Sequence, residues 1–248
     1  MNSPNLTSFA APEGRVSAFG RPGGTDMTIP LLRVERLEKR YTRGWPKRQT
    51  TFSLEADFEI GGPTIVGVMG ANGAGKTTMF ELITGSNLPT AGRVLVAGQD
   101  IHQVRYQQRS KLALHYHQSY QVRSFTRTRP NFMLEHAAGD GAMVHLFDEP
   151  QFNTQDGYIG FMLDFFRKLR AQGKLVFLCL HPNEPVHLDI LADVCERFIF
   201  VHKDEGTSRL MQADSLAQLT RDERVRRYLG RLAPQAEGSA QEAGLVTA

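Results

Sequence analysis

Thr64-Ile-Val-Gly-Val-Met-Gly-Ala-Asn-Gly-Ala-Gly-Lys-Thr77 decides the reading of this chain. Its first six residues are largely apolar, as in a strand covered on both faces. From Gly70 the stretch fits G-x-x-x-x-G-K-[ST], and a helical pattern from Thr77 to Thr84, closed by Gly85, follows it. A strand before and a helix after is the setting this motif requires. Glycines let the backbone curl with its N–H groups pointing inward, and those donors with the helix N-terminus favour a polyphosphate. Gly70, Asn72, Gly73, Ala74 and Gly75 are the expected cradle. Lys76 supplies charge to the β- and γ-phosphates, and Thr77 an oxygen for Mg²⁺. The competing reading, a Gly-rich turn with a chance Lys-Thr, does not account for the flanking strand and helix.

Outward from this loop the pattern alternates strand and helix. Phe52, Leu54, Ala56, Phe58 and Ile60 alternate strictly, which predicts a half-buried antiparallel strand. Short apolar runs at 31–37, 93–97, 112–117, 143–147, 175–180 and 197–201 predict further strands, with helices near 102–111, 131–138, 156–171 and 185–195. Such alternation implies a mostly parallel sheet flanked by helices. The early antiparallel strands suggest a small β-subdomain beside it.

Three strand ends carry candidate chemistry. Met143 to Phe147 runs into Asp148-Glu149-Pro150, and acidic residues at the carboxyl end of a buried parallel strand stand at the ligand crevice. Asp148 is placed to hold Mg²⁺ through its water shell, and Glu149 to accept a proton from an attacking water. His181 follows the apolar run 175–180 in the same way and is placed to touch the γ-phosphate. Gln118 follows 112–117, where a neutral amide senses the γ-phosphate or completes the metal shell. Gln121 lies close enough to compete with it.

Composition excludes several classes. The chain has 248 residues, 41% hydrophobic and 22% charged, with a formal net charge of +3, which suits a soluble protein with a sizeable core. No apolar run approaches the ~18 residues a membrane span needs, and the first residues have no apolar signal region. Cys179 and Cys195 sit in apolar surroundings without zinc spacing and read as core. The small positive charge does not argue for a nucleic-acid partner, and none is expected. Residues 1–29, rich in Ser, Pro, Gly and Ala, are expected to be a disordered leader, and 233–248 a flexible tail.

Taken together, these residues resemble the ATP-binding-cassette ATPases, the nucleotide-binding subunits of ABC transporters, over about residues 31–205. Leu32-Arg-Val-Glu-Arg-Leu-Glu-Lys-Arg-Tyr41 is similar to that family's first strand and aromatic A-loop, which implies that Tyr41 stacks on adenine. Residues 67–78 are similar to its Walker A loop, which adds Thr78 to the phosphate contacts. Leu82-Ile-Thr-Gly85 and Pro89 to Gly98 resemble the stretch that follows. Gln118 falls at the expected Q-loop glutamine, Leu146-Phe-Asp-Glu-Pro150 resembles Walker B with its catalytic glutamate, and His181 matches the switch histidine. The resemblance implies an α/β P-loop NTPase fold over 30–232, with ATP and Mg²⁺ as ligands. It also implies an ATPase with Glu149, His181, Gln118 and Lys76 in the reaction and Thr77, Asp148 and Gln118 on the metal. The implied partners are integral-membrane permease subunits and a second ATP-binding subunit, which places the chain in the cytoplasm on the inner face of the membrane.

One departure is large. The sequence LSGGQ, the family signature, occurs nowhere, and the interval from Gln118 to Asp148 is too short for the usual helical subdomain. A reduced helical subdomain is therefore expected. Ser124-Phe-Thr-Arg-Thr-Arg-Pro130 stands in the signature's place without its glycines, and Gln151 to Asp156 is a poor match to the family's D-loop. A homodimer would then have two incomplete sites, whereas a different partner chain with an intact signature would complete one. Arg123, Arg127 and Arg129 read as a solvated basic loop, with an arginine finger as the competing reading. Two other functions stay open: a nucleotide-gated regulatory module with little hydrolysis, and a soluble ABC ATPase outside transport.

Overall fold

The computed structural model describes residues 29–117, 141–150 and 158–234. One ten-stranded sheet organises them. In chain order its elements are β1 (Leu32–Arg43), β2 (Gln49–Ile60), β3 (Ile65–Gly70), α1 (Lys76–Ile83), β4 (Ala91–Val96), β5 (Gln99–Asp100), α2 (Tyr106–Leu112) and β6 (Ala113–His117). After residue 140 come β7 (Val144–Asp148), α3 (Tyr158–Ala171), β8 (Leu175–Cys179), α4 (Pro185–Val194), β9 (Arg197–Asp204) and β10 (Thr207–Ala213). Two short helices, α5 (Leu216–Leu219) and α6 (Glu223–Leu229), complete the described part.

The strand order is β5-β4-β1-β2-β10-β9-β3-β8-β7-β6. The run β9-β3-β8-β7-β6 is parallel throughout, while β1, β2, β4 and β5 form an antiparallel wing. The expected fold class is what the structure has, except that the wing belongs to the same sheet: β10 pairs antiparallel with β9 and parallel with β2.

The central strands are apolar on both sides because both sides are covered. Val66, Val68, Phe177 and Leu146 face the layer that contains Met79 and Phe80 of α1. Their neighbours Ile65, Met69, Leu178 and Phe147 face Phe166 and Leu169 of α3 and Leu191 of α4. Burying each of these side chains contributes roughly 1.5–3 kcal/mol. Gathering the parallel strands side by side brings their carboxyl ends together, where Gly70, Asp148 and the residues after Cys179 lie.

Several elements differ from the sequence reading. The first strand does not stop near residue 37. It continues to Arg43, paired with β2 as far as Arg43↔Gln49, although its outer residues are exposed and polar. The helix expected at 102–111 starts at Tyr106, because Asp100 first turns the chain: its side chain accepts from the His102 amide at 2.9 Å. The sequence pattern does not predict the strand β10 or the helices α5 and α6 as elements. The helix expected at 131–138, Gln118, the three loop arginines, the D-loop stretch and nearly all of both expected tails lie outside the described residues.

His145 on β7 is fully buried beside the Tyr116 and Phe147 rings, which stack on each other at 4.5 Å and run nearly parallel to the imidazole. Its Nε2–H donates to the Ala142 carbonyl at 2.9 Å and its Nδ1 accepts from the Tyr116 hydroxyl at 3.0 Å. Burial lowers its pKa from the usual 6.5 to about 4. The folded protein thus resists a proton that the unfolded chain accepts below 6.5, so stability is full above that pH and is lost as pH falls toward 4. Unfolding free energy from urea titrations is expected to drop by about 1.4 kcal/mol per pH unit across that window. The His145→Gln variant is expected to show a flatter profile there.

Candidate functional site

The loop between β3 and α1 is shaped by its glycines. Gly70 has φ +150, and a side chain there would place Cβ 2.3 Å from the Val201 carbonyl oxygen of neighbouring β9. Gly75 caps α1 with φ +103, a left-handed conformation that L side chains adopt only at a cost. The turn is closed by the Ala74 amide on the Ala71 carbonyl at 3.1 Å. The first-turn amides of α1, which have no acceptor within the helix, then face the mouth of the loop.

Lys76 is 6% exposed. Its Nζ donates to the carbonyls of Gly70 at 2.7 Å and Ala71 at 3.1 Å. An ammonium has three N–H donors, so one is left for an incoming oxygen. Thr77, the next residue, donates its hydroxyl to Asp148 Oδ2 at 2.8 Å, which joins α1 to the end of β7. The loop borders an open cavity of about 600 Å³ that Glu149, Thr78, Asn72 and Gly73 also line. Ala74, by contrast, is 3% exposed and packs into the core.

Asp148 is buried, with His115 Nε2 of β6 at 3.4 Å from Oδ2. Burial alone would raise its pKa. Hydrogen bonds from His115, Thr77 and the Cys179 thiol, together with the His115 charge, outweigh that and hold it below the usual carboxylate range. The thiol itself is pushed well up by burial and by the Asp148 charge, so it remains a protonated donor. Two hard oxygens, Thr77 Oγ1 and Asp148 Oδ2, stand 2.8 Å apart beside the phosphate loop. That is donor chemistry that suits a magnesium ion completed by waters and phosphate oxygens. Among the described residues no group of three or more His, Cys, Asp or Glu forms an all-protein metal cage.

Glu149 follows with φ +51, an uncommon conformation for a non-glycine residue. Its amide donates to the Cys179 carbonyl at 3.0 Å, and its side chain reaches the cavity wall. Backbone strain of this kind tends to sit at functional positions.

Tyr41 and Phe52 form the far wall of the same cavity. Their rings are 5.7 Å apart and tilted by 38°. The Tyr41 hydroxyl accepts from Asn87 at 2.6 Å, and Lys39 Nζ lies 4.9 Å from the ring centre. The structure thus gathers Tyr41, Asn72, Gly73, Gly75, Lys76, Thr77, Thr78 and Glu149 around one cavity, with Asp148 behind Thr77. His181 is not on the cavity wall. Its Nδ1 lies 2.9 Å from the Tyr228 hydroxyl of α6. Gln118 lies outside the described residues.

Sequence reasoning missed Phe52, His115, Cys179 and Tyr228 as site residues. Phe52 had a signal, since it begins the strict alternation of β2. Cys179 had none, since it becomes the neighbour of Asp148 only through the pairing of β7 with β8. His115 and Tyr228 had none, because only the folded sheet brings them to the site.

Comparison with known proteins agrees with this geometry. Residues 54–168 match the family model described as ABC transporter. Over 73 residues, 29% of this chain, the sequence is 42% identical to the lipoprotein-releasing system ATP-binding protein LolD of Xylella fastidiosa (strain 9a5c). Over 87 residues it is 38% identical to LolD of Xanthomonas oryzae pv. oryzae (strain MAFF 311018). These stretches are 30% and 35% of the two relatives, so the chain spans about a third of the length of the curated relatives it matches. Among solved structures, a nucleotide-free ATP-binding cassette from an ABC transporter superposes with a TM-score of 0.58 at 14% identity. That match covers 81% of this chain and 98% of the other. A bacterial Atm1-family ABC exporter with ATP bound gives 0.58 at 18% identity over 84% of this chain and 42% of the other. Those two likenesses establish the fold. Fold and loop together define a P-loop NTPase type of α/β fold. The family match and the curated relatives are similarities of part of the chain to ABC-transporter ATP-binding proteins, in line with the sequence resemblance.

The close approach at Gly70 leads to a sharp expectation. Gly70→Ala would drive Cβ into the β9 backbone beside the loop, so it should destabilise the fold by more than about 3 kcal/mol. Thermal and urea unfolding of the variant measure this, and a loss under 1 kcal/mol would contradict the packing described.

Proposed function

We propose that this chain binds ATP with Mg²⁺ and hydrolyses it to drive a separately encoded membrane permease. The observation that carries the proposal is the convergence of Lys76, Thr77 and Glu149 on the cavity walled by Tyr41 and Phe52, with Asp148 bonded to Thr77 behind it. In this reading the aromatic wall takes the adenine. The amides of residues 70–78 and the Lys76 ammonium grip the β- and γ-phosphates. Thr77 and Asp148 hold the magnesium ion, which when bound neutralises charge on the phosphate oxygens. Glu149 orients the attacking water and takes its proton, while His181 and Gln118 attend the γ-phosphate.

The partners follow from two observations. The curated relatives are by name ATP-binding proteins of a lipoprotein-releasing system, which supports work as one subunit of a larger membrane assembly. No described helix is long and apolar enough to cross a membrane, which fits a permease made by another chain and a place on the cytoplasmic face beside it. The missing LSGGQ favours pairing with a second ATP-binding subunit that carries its own signature. It equally favours a second reading, a nucleotide-gated regulatory module that turns ATP over slowly. The Glu149 carboxylate at the cavity wall supports the hydrolytic reading.

Calorimetry on the full chain is expected to show MgATP binding that weakens at least about a hundredfold in Lys76→Ala. Glu149→Gln is expected to keep binding but to release phosphate roughly 10²–10⁴-fold more slowly, the usual contribution of a general base. Absence of binding by the unaltered chain would sink the proposal. Unchanged slow turnover in Glu149→Gln would leave the regulatory reading.

A further inference from the structure

Helix α6 is only seven residues long, yet it is fastened firmly at the edge of the site. Asp222 caps it, accepting from the Arg224 amide at 2.8 Å. The Arg224 guanidinium grips Asp222 at 2.8 Å and reaches His202 of β9 at 2.8 Å. Val225 and Leu229 are buried beneath it. This anchoring delivers one side chain, Tyr228, to the carboxyl ends of β3 and β8. Its ring packs on Phe200 at 5.3 Å and edge-on against His181 at 5.6 Å.

The hydroxyl has a defined set of neighbours. His181 Nδ1 lies 2.9 Å away, and the Gly70 main-chain amide bears on the same oxygen. The amide is a donor, so it cannot take the phenolic proton. Burial and the nearby Glu149 and Cys179 keep the phenol protonated. Of these two neighbours only His181 Nδ1 has a lone pair that can receive the phenolic proton. A neutral imidazole whose Nδ1 accepts carries its hydrogen on Nε2.

We propose that Tyr228 is a positioning residue that fixes His181 as the Nε2–H tautomer and ties its ring to the first residue of the phosphate loop. In this arrangement His181 presents a donor, not a lone pair, from Nε2, which is the polarity a γ-phosphate oxygen requires. The same hydroxyl spans the ends of two neighbouring strands: Gly70, whose carbonyl receives Lys76, and His181. Movement of α6 would therefore disturb the histidine and the loop together. The proposal rests on the reading that His181 attends the γ-phosphate.

The test uses the full chain and Tyr228→Phe, which keeps the ring against Phe200 and removes only the hydroxyl. Nitrogen-15 NMR of the histidine side chains is expected to show His181 as the Nε2–H tautomer in the unaltered protein and as a mixture of both neutral tautomers in the variant. The turnover number is expected to fall by about tenfold with KM for ATP changed less than twofold. In a His181→Ala background, Tyr228→Phe is expected to have no further effect on turnover, whereas a merely structural tyrosine would still lower it. An Nδ1–H tautomer in the unaltered chain, an unchanged spectrum in the variant, or a persisting effect in the His181→Ala background overturns the proposal. Normal turnover by His181→Ala overturns it as well, by removing His181 from the reaction. Loss of ATP binding by the unaltered chain would instead strike the functional reading, and the tautomer, observed without nucleotide, still decides the Tyr228 contact.

Discussion

The Thr77 hydroxyl bonded to the Asp148 carboxylate at 2.8 Å is the contact on which the rest of the site depends. It joins the first turn of α1 to the end of β7, two strands away from β3, across β8. That reach is possible only if the parallel register holds, with Val68 beside Cys179 and Cys179 beside Asp148. A slip of one residue would turn Asp148 to the opposite face of the sheet. The site is thus a consequence of how tightly the two apolar layers fix these strands, and the layers are dense: Phe80 packs edge-on to both His115 and Phe177 at 5.5 and 5.9 Å.

A buried carboxylate without partners is costly, and Asp148 is supplied with several. Thr77 comes from the helix, Cys179 from β8 and His115 from β6, so three elements share the charge. The lysine beside it is treated differently. Lys76 is satisfied by main-chain carbonyls of the loop that it serves, so it rests on neutral acceptors rather than on an acidic side chain. A phosphate oxygen competes better with a neutral carbonyl than with a carboxylate, since bonds to charged groups are the stronger ones. In the proposed function this leaves the acid for a metal ion and the ammonium for a phosphate.

What was legible in the sequence follows this division between local and distant causes. Residues 64–77 could be read because glycines, an apolar strand and a Lys-Thr pair define the loop by their own backbone and chemistry. Asp148 and Glu149 could be read because they end an apolar strand, and β2 because Phe52 to Ile60 alternate. The extension of β1 to Arg43 could not, since its outer residues are polar and only pairing with β2 makes them strand. The same holds for β10, with exposed Arg209 beside buried Ser208 and Ala213. Tyr228 carried no local mark at all: its meaning comes from Arg224 and Asp222, which settle α6 on β9, and from His181 47 residues earlier.

The antiparallel wing and the parallel centre meet at a seam of two residue pairs, Thr207↔Ser53 and Ser208↔Leu54, with the Ser53 and Thr207 hydroxyls 2.8 Å apart. So short a seam would leave the wing loosely attached if nothing else crossed it. Leu32, Val34, Leu54 and Val94 of the wing also share one buried core with Met79 and Phe80 of α1, and the phosphate loop adds a further attachment. A Cβ at Gly75 would lie 2.9 Å from both Leu54 and Phe52 of β2, so the cap of α1 sits directly on the wing. Phe52 in turn carries Tyr41. The close contact at Gly75 thus helps to set the separation between the aromatic wall and the amides of the loop. A ligand that engages both ends at once would brace the wing against the parallel sheet, and its base and its phosphates would be recognised as one rigid pair.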